Sequence, residues 1–100
     1  MQVIKKGDGD SIYLKFRGNF TYADKDLLSE FVHAFSKSGI KNMELDFEEV
    51  ESMDSSGLGV LLIMQEDADA NDGCLVFSHI KGEIKTLFKQ ANLYKMFTIK

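Results

Sequence analysis

The feature that most restricts the fold is how apolar spacing changes along the chain, from every second residue to every third or fourth and back. Ile12, Leu14 and Phe16 alternate with Tyr13, Lys15 and Arg17, which puts the first set on one face of a strand. Leu27, Leu28, Phe31, Val32 and Phe35 are then spaced by three and four. That is one stripe of a helix, closed near Ser38-Gly39, where glycine can take the left-handed cap conformation. Met43, Leu45 and Phe47 return to alternation, a third strand. Leu58, Leu61, Leu62 and Met64 stripe a second helix that opens at or near Ser55 and stops at Gly73.

Leu75-Val76-Phe77 reads as a fourth strand, with Cys74 buried at its head as a small hydrophobe. Ile80, Ile84, Leu87, Phe88 and Ala91 form a third helical stripe, and 96–99 is an optional last strand. Gly7-Asp8-Gly9-Asp10 is a turn that joins residues 2–6 to 11–17 as a hairpin, and 18–23 reads as a loop. The order β-β-α-β-α-β-α predicts an α/β fold: a mixed, mostly parallel sheet of four to five strands with flanking helices and an N-terminal antiparallel hairpin. A chain of 100 residues suits a single domain spanning 1–100, with little room for a deep substrate pocket.

Charge narrows the function. The formal net charge is -4, and the densest basic grouping is Lys5-Lys6, followed closely by Asp8 and Asp10. Nucleic-acid binding needs clustered cations to neutralise phosphates, so it is not expected. The longest apolar run, 60–64, is far too short to span a membrane, and no apolar stretch follows the lysines near the start. With Cys74 the lone cysteine, no intramolecular disulfide can form, and a cytoplasmic protein in a reducing compartment is expected.

In open α/β sheets, functional groups collect where strand ends meet helix starts. One such junction has unusual content: Asp54-Ser55-Ser56-Gly57-Leu58-Gly59. A serine or aspartate there can cap the helix by accepting an unpaired backbone N–H. Capping does not explain the glycines, each of which costs roughly 0.5–1 kcal/mol inside a helix relative to alanine. Close approach by another backbone or by a phosphate would favour them.

This motif, following a strand ending Leu45-Asp46-Phe47, resembles the signature of the STAS domain, and within that superfamily the stand-alone bacterial anti-sigma factor antagonists. The likeness extends over the whole chain: its length, element order, the loop at Gly18, and a closing helix before Leu93-Tyr94-Lys95-Met96-Phe97. The resemblance implies that a serine kinase phosphorylates the motif's second serine, Ser56, and that a serine phosphatase reverses the modification. It implies that the unmodified form binds an anti-sigma factor or the kinase itself, and that phosphorylation blocks this. Asp54, Ser55, Gly57 and Leu58 are then the partner-binding neighbourhood. Asn19, Thr21 and Tyr22 match the family's partner-facing loop in place. A free Ser56 hydroxyl would follow if Ser55 supplies the cap. Acidic Glu48, Glu49 and Glu51 are expected to crowd the motif and favour a basic partner surface. The output is left open between transcription and biofilm or motility control, as is a non-switching scaffold subunit of a larger signalling assembly. A switch of this kind should be a monomer without cofactors.

Other chemistries lack their parts. A serine nucleophile needs a base and an orienting group, but His33 and His79 sit in distant elements, and Asp54 stands where a nucleophile elbow has glycine. Asp67 to Gly73 misses the glycine and glutamate of a calcium loop. One cysteine and two separated histidines give no zinc pattern, and no phosphate-binding glycine loop occurs. No enzyme activity is expected.

Overall fold

A computed structural model describes residues 1–100, apart from the side chain of Tyr22. Strand β1 (Gln2–Asp8) turns into β2 (Ser11–Phe20), and the two pair antiparallel with Val3 opposite Phe16. Strands β3 (Asn42–Met53), β4 (Cys74–Ser78) and β5 (Thr98–Ile99) add in parallel, so the five-stranded sheet runs in chain order. Between β2 and β3 lie a 3-10 turn (Tyr22–Lys25) and two short helices, α1 (Ser29–Val32) and α2 (Ala34–Lys37). Helix α3 (Ser55–Ala70) links β3 to β4, and α4 (Gly82–Gln90) with a 3-10 turn (Leu93–Lys95) links β4 to β5. This is the α/β sheet with an antiparallel hairpin that the periodicity predicts.

Because parallel neighbours follow one another in chain order, right-handed crossovers put their helices on the same side. The burial pattern agrees. Leu14, Phe16, Met43, Leu45, Phe47, Leu75 and Phe77 are buried, whereas the alternating Tyr13, Lys15, Arg17, Glu44 and Val76 keep contact with solvent. One face of the sheet therefore carries the core and the other is open. Phe47 is the hub of that core, with its ring 5.5 Å from Phe16, 5.8 Å from Phe20, 6.1 Å from Phe77 and 6.4 Å from Phe88.

Several boundaries differ from the sequence reading. Strand β2 continues through Gly18 to Phe20 instead of ending in a loop, and β3 runs on to Met53, with register shifts between Lys15 and Arg17 and between Gly18 and Asn19. The expected first helix is broken at His33, and Leu27 lies outside the apolar stripe at 49% exposure. The break has a visible compensation: Asp67, buried on α3, accepts the N–H groups of Phe35 and Ser36 at 2.9 and 3.4 Å. A carboxylate from another helix thus caps α2, satisfying donors that a short helix leaves unpaired. Cys74 is exposed, because it stands at the first position of its strand. The left-handed residue that ends α3 is Asp72 (φ 54), not Gly73. Gly73 is glycine for a different reason: a Cβ there would lie 2.1 Å from the Phe35 ring.

Candidate functional site

At the end of β3 the chain leaves the sheet in an extended conformation at Asp54 and enters α3. The Asp54 carboxylate accepts the Gly57 N–H at 2.7 Å, and its own N–H donates to the Phe20 carbonyl at 3.3 Å. The cap is therefore Asp54, and the expectation that Ser55 supplies it is corrected. A carboxylate is a stronger acceptor than a hydroxyl, and one residue upstream it reaches the third helical N–H. Ser55 and Ser56 become the first two residues of the helix. Both are exposed, and neither hydroxyl has a hydrogen-bond partner among the described residues.

The two glycines separate. A Cβ on Gly57 would lie 3.0 Å from the Phe20 carbonyl oxygen and 3.2 Å from Met53 Cγ, so backbone approach is what demands a small residue there. A Cβ on Gly59 would meet nothing within 4 Å. Gly57 and Leu58 are buried, so in the predicted neighbourhood only Asp54, Ser55 and Ser56 present themselves to solvent.

The junction binds the end of β2 to the helix start, which brings Asn19 and Thr21 to the same end of the molecule. Asn19 accepts the Ser52 hydroxyl at 2.8 Å. The Thr21 N–H donates to the Asp24 carboxylate at 2.8 Å, fixing the 3-10 turn. The side chain of Tyr22, the third expected loop contact, lies outside the described residues. Two of the three acids expected to crowd the motif are engaged on the open sheet face. Glu49 meets Arg17 at 3.0 Å and Lys15 at 3.8 Å, and Glu48 lies 3.8 Å from the His79 ring.

Sequence reasoning missed a second polar cluster on that open face. Tyr13 donates its hydroxyl to Asp46, which also accepts the Glu48 N–H at 2.9 Å and meets His79 Nδ1 at 2.8 Å. Burial by itself would push the Asp46 carboxyl up, yet the hydrogen bonds from Tyr13, the Glu48 N–H and His79 outweigh it and hold the group below its ordinary value. The hydrogen bond to Asp46 pushes the Tyr13 phenol up to about 12, with burial and the charges of Asp46, Glu44 and Glu48 adding to it. Beside it, Glu44 accepts Ser78 at 2.8 Å and Lys100 at 3.3 Å. In the sequence Asp46 is one of several acids, with Glu44 and Glu48, that alternate with Met43, Leu45 and Phe47, so nothing there marks it as buried. His33 sits apart, 3.9 Å from Asp67, so both histidines are committed away from the serines. No helix among the described residues is long and apolar enough to cross a membrane.

Known proteins share this fold. The STAS domain family matches residues 2–100. The Bacillus cell fate determinant SpoIIAA in its phosphorylated form superposes with a TM-score of 0.79 at 15% identity, over 99% of this chain and 91% of that one. An anti-sigma factor antagonist from Mycobacterium paratuberculosis gives 0.81 at 15% identity, over 98% and 83%. The protein TM1081, of Thermotoga maritima, gives 0.82 at 20% identity, over 96% and 78%.

Proposed function

Because this chain belongs to the STAS domain family, we propose that it is an anti-sigma factor antagonist-like switch whose charge state at Ser56 decides partner binding. The unmodified surface binds an anti-sigma factor or serine kinase, phosphorylation of Ser56 blocks that contact, and a phosphatase restores it. The STAS fold typically serves as a regulatory domain, not an enzyme, which suits this role. The observation that carries the reading is the placement of the Ser56 hydroxyl: exposed, without a hydrogen-bond partner among the described residues, at the second residue of a capped helix. Since Ser55 shares that exposure, the choice of Ser56 rests on its place as the second serine of the family motif.

The physics favours a switch that leaves the fold alone. A phosphoserine adds about -1.5 to -2 charges at pH 7. At a helix N-terminus the free N–H groups and macrodipole stabilise an exposed anion by roughly 0.3–1 kcal/mol. A partner covering Ser56 must instead desolvate that charge beside Asp54. A loss of about 3–4 kcal/mol weakens binding several-hundred-fold, at roughly 1.4 kcal/mol per tenfold. Incubation with the candidate serine kinase and ATP, followed by phosphopeptide mapping, tests the assignment. Label on Ser56 is expected, and label confined to Ser55 refutes it.

A further inference from the structure

The polar cluster on the open sheet face has geometry that hydrogen bonding within the fold uses only in part. Between Lys15 and Arg17 on β2, strand β3 advances three residues, from Asp46 to Glu49. This bulge leaves the Glu48 N–H to be taken by the Asp46 carboxylate and sends the Asp46 and Glu48 side chains out together. His79, the first residue after β4, adopts a left-handed backbone conformation (φ 58) and its ring lies over both. Its Nδ1 lies 2.8 Å from Asp46 Oδ1 and its Nε2 lies 3.8 Å from Glu48 Oε2. One ligand atom from each of the three residues can be chosen so that all lie within 4.8 Å of one another.

From this arrangement the geometry points to a zinc-class divalent cation site formed by Asp46, Glu48 and His79. Zinc takes nitrogen and oxygen donors at about 2.0–2.2 Å, so two ligands at a tetrahedral angle stand roughly 3.3 Å apart. A cation takes one ring nitrogen only, so the 2.8 and 3.8 Å approaches, made by different nitrogens of His79, are not one ligand set. The set with one atom per residue lies within 4.8 Å, and rotamer changes of the half-exposed Glu48 and His79 would draw it in to about 3.3 Å. The anchor is already fixed. Asp46 is 2% exposed, and Tyr13 holds its second oxygen, the kind of outer hydrogen bond that orients a metal-binding carboxylate. His79 and Glu48 are about half exposed, so an ion reaches the site from solvent and keeps water in its remaining position. The single imidazole selects the metal: magnesium and calcium prefer oxygen-only shells, whereas zinc, nickel and cobalt accept nitrogen. The cation would tie β3 to the β4–α4 junction, independently of the phosphorylation state of Ser56.

Calorimetric titration of the purified chain with zinc chloride tests the site, alongside His79→Ala, Glu48→Gln and Cys74→Ser. Both ligand substitutions fall on exposed side chains, and a circular dichroism melt checks that each variant folds. One zinc per chain is expected for the wild type, with no heat from magnesium at the same concentration. Affinity should fall tenfold or more in His79→Ala and in Glu48→Gln. Cys74→Ser, which removes the exposed thiol, should bind as the wild type does. Absence of zinc binding by the wild type overturns the site, and so does binding that persists unchanged in His79→Ala or disappears in Cys74→Ser.

Discussion

The helix mouth at Asp54–Gly57 and the cluster around Asp46 are both polar, and they are built in opposite ways. At the helix mouth the carboxylate is spent on the Gly57 N–H, and two hydroxyls stand in solvent with no partner among the described residues. At Asp46 the carboxylate is buried and accepts from a phenol, a backbone N–H and an imidazole together. Charge added at the first place meets helix dipoles and water. A change at the second place removes an acceptor shared by a phenol, a backbone N–H and an imidazole. Binding should therefore be the property that responds at Ser56, and stability the property that responds at Asp46.

The largest effect expected from this contrast is on binding. Ser56→Asp should weaken partner affinity several-hundred-fold, about 3–4 kcal/mol, while Ser56→Ala keeps it; titration against the kinase or anti-sigma partner reads the difference. Next comes Asp46→Ala, which should destabilise the fold by about 2–3 kcal/mol in urea unfolding, through the orphaned Tyr13 hydroxyl and Glu48 N–H. Within the helix mouth, Gly57→Ala should cost roughly 1–2 kcal/mol, since its Cβ would press on the Phe20 carbonyl oxygen and backbone cannot step aside. Gly59→Ala should do the reverse and stabilise by roughly 0.5–1 kcal/mol, because open space surrounds its Cβ position. Equal effects at the two glycines would break the account of why Gly57 is small.

The pH response sharpens the same comparison. The Tyr13 phenol is raised to about 12 in the folded chain, against about 10 unfolded, so its stabilising contribution is complete below pH 10 and is lost between 10 and 12. Asp46 is held below its ordinary value, so its contribution is present above about pH 4 and fades as pH falls through the lowered native value. Alkaline titration followed by ultraviolet absorbance should show one late tyrosinate step that Tyr13→Phe removes.

What the sequence revealed follows from which interactions are local. The alternation at Leu14 and Phe16 and the stripe at Leu58, Leu61 and Met64 report which side chains face the core, and the order of elements came from them. The end of β3 was hidden because the bulge after Asp46 shifts the period before Val50 returns to the core. The broken first helix was hidden because its cap, Asp67, comes from α3. At the motif the glycine pair signals a tight approach, which holds for Gly57 and not for Gly59, and the atom approached, the Phe20 carbonyl oxygen, belongs to another strand. The capping role of Asp54 over Ser55 was a choice between adjacent acceptors that spacing alone leaves undecided. The Asp46 cluster escaped because alternation assigns Tyr13 and Glu48 to solvent without asking what they meet there.

The most direct test is a side-by-side capture with three tagged chains, wild type, Ser56→Ala and Ser56→Asp, each also melted by circular dichroism. A common partner should be retained by Ser56→Ala and lost by Ser56→Asp, with all three melting within a few degrees of one another. If Ser56→Asp holds that partner as firmly as Ser56→Ala does, or fails because it no longer folds, charge at the helix mouth is not the switch.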